Sequence, residues 1–137
     1  MQPWSNLPLR NRRILLVEDC PDDQRLMARI LTRAGSDVML ECSGESAIYR
    51  IRHVAANERC FDLVVMDLQM PGMDGIETTR KLRATGCQTP IVAVTARGDE
   101  ATERVWKDAG CISYLTKPFP PDALISVACQ AMTNAEV

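Results

Sequence analysis

Asp67 ends a short apolar run, Leu63-Val64-Val65-Met66, and is followed by the chain breakers Pro71, Gly72 and Gly75. A carboxylate is too costly to bury without a partner, so Asp67 must stand at the mouth of a strand or face a cation. Three other apolar runs also end in polar groups. Ile14–Val17 runs into Glu18-Asp19, Ile91–Val94 into Thr95, and Ile112–Thr116 into Lys117-Pro118. In a parallel sheet such ends lie along one edge, where ligand chemistry collects. Three carboxylates there repel one another unless a cation joins them, and oxygen-only ligands suit Mg²⁺ or Mn²⁺ rather than zinc. A lysine and a hydroxyl at the same edge can bind an anion. Divalent cation, lysine and hydroxyl together are the parts of phosphoryl transfer. Each part alone has a plainer reading: an acid that caps a loop, a lysine solvated in a turn, a β-branched threonine filling a strand. All arriving in order, each at the same end of a successive strand, favours the chemical reading.

The elements that position these groups follow from periodicity. The runs at 14–17, 38–42, 63–66, 91–94 and 112–116 are short, largely apolar and bounded by turn signals, as strands are, and those at 14–17 and 63–66 read as buried. Helices alternate with them. Pro21 suits a first helical turn, Asp22 and Asp23 favour its positive end, and Leu26, Met27, Ile30, Leu31 and Ala34 recur at helical spacing before Gly35. Ser43-Gly44 opens a second helix carrying Ala47, Ile48, Ile51 and Val54-Ala55 on one side. Asp74, with Glu77 three residues on, is a capping-box pattern for a third helix through 78–84. Asp99 caps a fourth, with Ala101, Val105 and Ala109 expected to face inward and Gly110 to end it. Pro120-Pro121 opens a fifth with Leu124, Ile125, Ala128 and Met132. Strands alternating with helices make a parallel sheet covered on both faces, and right-handed crossovers make it doubly wound. Periodicity leaves the strand order open.

Composition bounds the rest. The chain has 137 residues, 46% hydrophobic and 25% charged, which favours one globular domain. A net charge of −2 offers no general attraction for nucleic acid or anionic membrane. No apolar run approaches a membrane span, and the start MQPWSNLPLRNRR lacks a signal peptide's apolar core, so a cytoplasmic location is expected. The six cysteines are scattered, with no C-x-x-C, and the single histidine, His53, is too little for a zinc site. Cys20 follows the acid pair, and its reading as an unreactive residue at a helix start is preferred to a role in the site.

With these residues in view, the sequence resembles a response-regulator receiver domain of two-component signalling. The matching stretches are LLVED with its acid pair, VVMDLQMPGMDG, VAVTA and YLTKPF. The resemblance covers about Arg13 to Met132. It divides the chain into a tail or linker (1–12), a receiver domain (13–132) and a short tail (133–137). It implies a flavodoxin-like fold with five parallel strands in the order 2-1-3-4-5 and five helices. It also implies roles. Asp67 matches the phospho-acceptor, and Glu18 and Asp19 match the pair that holds Mg²⁺. Gln69 stands where a backbone carbonyl reaches the metal. Thr95 matches the hydroxyl that binds phosphoryl oxygens, Lys117 the lysine that pairs with them before a cis proline, and Tyr114 the aromatic switch residue. Gln69 and Arg97 lie at positions that tune access of hydrolytic water. Glu18 replaces the aspartate of many relatives, adding one methylene to the metal set.

The implied partner is a histidine kinase or phosphotransfer domain that presents phosphohistidine, with no nucleic-acid or membrane contact by the domain itself. DLQMPGMDG and TTRKLR resemble receivers joined to hybrid histidine kinases. The chain stops soon after its fifth helix, so no DNA-binding output domain is expected, and a stand-alone regulator is the alternative. Two other classes share parts of the pattern. A flavin- or nucleotide-binding module would want a phosphate-cradling loop after the first strand, where Glu18-Asp19 repels phosphate. A phosphatase with an aspartyl nucleophile would want a second acid at position 69, which is Gln69.

Overall fold

The computed structural model describes residues 7–54 and 59–135. The elements are β1 (Arg13–Val17), α1 (Pro21–Arg33), β2 (Asp37–Glu41), α2 (Gly44–Arg52), β3 (Leu63–Asp67), α3 (Gly75–Ala84), β4 (Ile91–Thr95), α4 (Glu100–Ala109), β5 (Ser113–Thr116) and α5 (Pro121–Ala135). All neighbouring strands are parallel, in the order β2-β1-β3-β4-β5. This is the flavodoxin-like arrangement expected from the resemblance.

Strand alternation divides the interior into two layers. Ile14, Leu16, Leu63, Val65, Val92 and Val94 point toward α1 and α5, where Met27, Leu31, Leu124 and Ala128 complete one cluster. Leu15, Val17, Val64, Met66, Ile91 and Ala93 point the other way, toward Ala47 of α2, Leu82 of α3 and Trp106 of α4. Strands β1, β3 and β4 are buried along their whole length, as continuous apolar runs covered on both faces should be. Among the described residues no helix is long and apolar enough to cross a membrane.

The helix starts follow their caps. Ser43 accepts the Ser46 N–H at 3.1 Å, Asp74 that of Glu77 at 2.9 Å, and Asp99 that of Thr102 at 2.8 Å. Each satisfies an N–H that the helix itself cannot, worth about 1 kcal/mol. The third helix begins at Gly75, directly after its cap and three residues before the stretch expected from periodicity.

Four expectations need correction. Ala101 and Val105 do not face inward: both are exposed, and Trp106 and Ala109 carry the buried stripe of α4. The indole needs far more buried volume than an alanine methyl, and it turns the helix toward itself. Leu26 is likewise exposed on α1. Leu9, in the stretch that reads as a tail, also packs onto the domain. Leu9 is fully buried in the α1–α5 cluster, and its N–H donates to the Ala34 carbonyl at 2.9 Å. The side of α2 expected to run through Val54-Ala55 ends earlier, since the helix stops at Arg52 and Ala55 lies outside the described residues.

Candidate functional site

The register brings the polar strand ends together. β1 and β3 pair as Val17 with Met66, so the next step sets Glu18 beside Asp67. β3 and β4 pair as Asp67 with Val94, and β4 and β5 as Thr95 with Thr116. Lys117 follows, and its N–H donates to the Thr95 carbonyl at 2.8 Å. The loop after Asp67 is held tightly. Gly75 packs so closely that a Cβ there would lie 2.2 Å from the Asp67 carbonyl oxygen, so only glycine fits.

Glu18 is fully buried, Asp67 is 3% exposed and Thr95 1% exposed. Burying two acids side by side requires partners. Glu18 has them: its Oε1 accepts from Lys117 Nζ at 2.8 Å and its Oε2 from the Cys20 N–H at 3.2 Å. Asp67 Oδ1 accepts from the Gln69 N–H at 3.0 Å, and its Oδ2 lies 4.0 Å from Lys117 Nζ. Thr95 Oγ1 accepts from the Arg97 N–H at 3.0 Å. The Gln69 side chain crosses the cleft, where its Oε1 accepts the Ala96 N–H at 3.1 Å. Lys117-Pro118 is a cis peptide. Tyr114 is partly exposed and packs against Trp106, ring centroids 5.2 Å apart. Cys20 takes the N-cap position of α1, and its side chain makes no capping bond.

Glu18, Asp19 and Asp67 each offer a carboxylate oxygen, all within 4.8 Å of one another. A set of three hard oxygen donors fits a divalent cation such as Mg²⁺. Electrostatics agree. Burial, then the hydrogen-bonded Glu18 carboxyl, push Asp67 up to about 7, against the opposing pull of the Gln69 N–H and Lys117. Burial draws the Lys117 ammonium down, yet its hydrogen bonds to Glu18 and Asp23 outweigh that and carry it above its ordinary range.

Sequence reasoning missed Asp23. It served there only as an acid at a helix start, but its Oδ2 accepts from Lys117 Nζ at 2.9 Å, across 94 positions of sequence. The one available signal was that Asp23 lies within one turn of the sheet edge where Lys117 also ends up.

The raised Asp67 makes cation-free stability depend on pH. An acid whose folded value lies above its unfolded 3.8 contributes stability below that value and loses it as pH rises through about 7. Asp67→Asn removes the loss. With chelator present, urea unfolding should show the variant's advantage over the parent growing by about 2 kcal/mol between pH ~5.5 and ~8. A constant gap across that window would mean that Asp67 is not raised.

The response regulator receiver domain model matches residues 14–128. The two-component response regulator ORR41 of Oryza sativa subsp. japonica is 44% identical over 115 residues, covering 82% of this chain and 87% of that protein. The sensor histidine kinase GacS of Pseudomonas protegens is 35% identical over 131 residues, covering 92% of this chain but only 14% of the kinase. Among solved structures, the receiver domain of sensor histidine kinase PA1611 from Pseudomonas aeruginosa superposes with a TM-score of 0.78 at 31% identity, covering 89% of this chain and 98% of that one. That structure has a magnesium ion coordinated in its active-site cleft. With a family match over most of its length, the chain belongs to the response regulator receiver domains of two-component signalling.

Proposed function

We propose that this receiver takes a phosphoryl group onto Asp67 from the phosphohistidine of a histidine kinase or phosphotransfer domain. The observation that carries the reading is the arrangement around Asp67. Its buried carboxyl shares an edge with Glu18 and Asp19 and lies 4.0 Å from Lys117 Nζ. Glu18, Asp19, Asp67 and the Gln69 carbonyl would hold Mg²⁺, or Mn²⁺, in this reading. Such a cation supplies positive charge to the carboxylates and to the incoming phosphoryl oxygens.

The Asp67 carboxylate oxygen attacks phosphorus, the P–N bond to the donor imidazole breaks, and its electron pair returns to the imidazole nitrogen, which takes up a proton. Lys117 meets a phosphoryl oxygen as a compact charge, and the Thr95 hydroxyl donates to another. Water later cleaves the acyl phosphate. Once Thr95 is drawn toward the phosphoryl group, Tyr114 can leave its packing against Trp106 and turn inward. That biases the surface made by α4, β5 and α5, a two-state switch driven by a local change of charge. A cytoplasmic setting accompanies this reading, since the donor is the phosphorylated domain of a kinase.

We place the domain in a hybrid sensor kinase, a reading supported by the DLQMPGMDG and TTRKLR stretches and by the alignment to GacS over 92% of the chain. The match across 87% of ORR41 favours a stand-alone regulator as the second reading. An antibody to this domain distinguishes them in the source cells, by a species several times larger than this chain or one of its own size.

Acetyl phosphate and Mg²⁺ should add one phosphoryl group, seen by intact mass and removed by hydroxylamine, as an acyl phosphate is. Asp19→Ala should bind Mg²⁺ about tenfold or more weakly by calorimetry, the scale on which a cation site suffers from losing a supporting group. Unchanged binding in Asp19→Ala would remove it from the cation set.

A further inference from the structure

Lys117 has three N–H donors. Two are engaged, one by Glu18 Oε1 at 2.8 Å and one by Asp23 Oδ2 at 2.9 Å. The Asp67 carboxylate, at 4.0 Å, lies beyond hydrogen-bond distance. The two acids that hold the ammonium differ in one respect. Glu18 belongs to the cluster whose oxygens approach one another within 4.8 Å, together with Asp19 and Asp67, and Asp23 does not. Glu18 therefore has two competing claims on it, the ammonium and a divalent cation. Asp23 has one. It stands 42% exposed on the first turn of α1, whereas the Glu18 side chain is fully buried.

We propose that Asp23 is a positioning residue for Lys117: it retains the ammonium at the site edge when a divalent cation takes Glu18. This rests on the cation site and the role of Lys117 set out above. When Glu18 turns to the cation, Lys117 keeps its bond to Asp23 and has two donors free for phosphoryl oxygens. Among the described residues, Asp23 is the one carboxylate outside the cation set that pairs with the ammonium. Without Asp23 the ammonium stays on Glu18 and competes with the cation for that carboxylate.

Asp22 is the internal control. It lies in the same first turn and carries the same charge, but its side chain is 86% exposed and pairs with Arg25. A general loss of negative charge near the helix start would be felt from both positions. Capture of Lys117 is felt only from Asp23.

The experiment is calorimetric titration of Mg²⁺ into the folded chain, with helix content of each variant checked by circular dichroism. Asp23→Ala should weaken Mg²⁺ binding about two- to fivefold, the scale of one partly exposed ion pair. Asp22→Ala should leave it unchanged. Asp23→Asn keeps the shape and an acceptor oxygen and should fall between parent and Asp23→Ala, so it carries the test should Asp23→Ala fail to fold. In a Lys117→Ala background, Asp23→Ala should have no further effect. Equal weakening by Asp22→Ala and Asp23→Ala, or an Asp23→Ala effect that persists without Lys117, overturns the proposal. So does unchanged or tighter binding in Asp23→Ala. A parent that binds no Mg²⁺ overturns the cation site first, and this inference with it.

Discussion

Asp67→Asn should accept no phosphoryl group from acetyl phosphate and Mg²⁺, a loss on the order of 10³-fold or more, as removal of a nucleophile produces. The substitution keeps shape and hydrogen-bonding reach, so the loss is chemical. An amide oxygen is a poor nucleophile and carries no charge for a divalent cation to offset. Urea unfolding checks the fold separately: relief of the buried acid should make the cation-free variant more stable than the parent near pH ~8, given an acid held up to about 7. Intact mass after incubation reads the result, with hydroxylamine separating an acyl phosphate from a phosphoester. A hydroxylamine-labile group that persists in Asp67→Asn would move the acceptor elsewhere, and peptide mapping would show whether the half-buried Asp19 had taken it.

Lys117→Ala should separate cation binding from phosphoryl capture. Lys117 Nζ holds Glu18 at 2.8 Å, and Glu18 is one of the three carboxylates of the cation set. Its removal takes away a competing charge, so Mg²⁺ should bind as well as in the parent or more tightly. Phosphorylation should slow by about 10²- to 10³-fold, the scale on which sites lose rate when a group that stabilises transition-state charge is deleted. In the cation-free state the variant should fold but lose about 3 kcal/mol, because Glu18 is left buried beside Asp67 without its ammonium. Added Mg²⁺ should restore much of that. Beryllofluoride, a mimic of the phosphoryl group, gives the decisive reading. In the parent it should shift NMR signals around Thr95 and Tyr114. Lys117→Ala should show no such shifts. The same shifts in the variant would show that the switch does not need Lys117.

Much of the site was legible in the chain because its strands are short and unbroken. An apolar run of four or five residues that stops at a carboxylate, a threonine or a lysine marks the strand and its end together. The helix caps were equally local: Asp74 and Asp99 accept N–H groups three residues on, within reach of any reading that respects helix geometry. Errors arose where a local pattern met a distant demand. Val105 lies at a proper helical spacing from Ala101 and Ala109, yet Trp106 took the interior, since a large ring gains more from burial than a valine does. Leu9 stands in a stretch too short and polar to show a period, and its burial depends on a pocket formed by α1 and α5, the latter more than a hundred residues later.

The order of residues was enough to say which groups carry charge or a hydroxyl and at which end of each element they stand, because strand and helix periods are properties of neighbouring residues. The chain's motifs also carried the likeness from which the strand order followed. Tertiary structure alone decided how those groups share one another. It set Lys117 between Glu18 and Asp23, at 2.8 and 2.9 Å, and left Asp67 at 4.0 Å. It also joined the Gln69 side chain to the Ala96 N–H across the cleft. Such pairings depend on the sheet register and on the side-chain paths of elements far apart in the chain, and no local period encodes either.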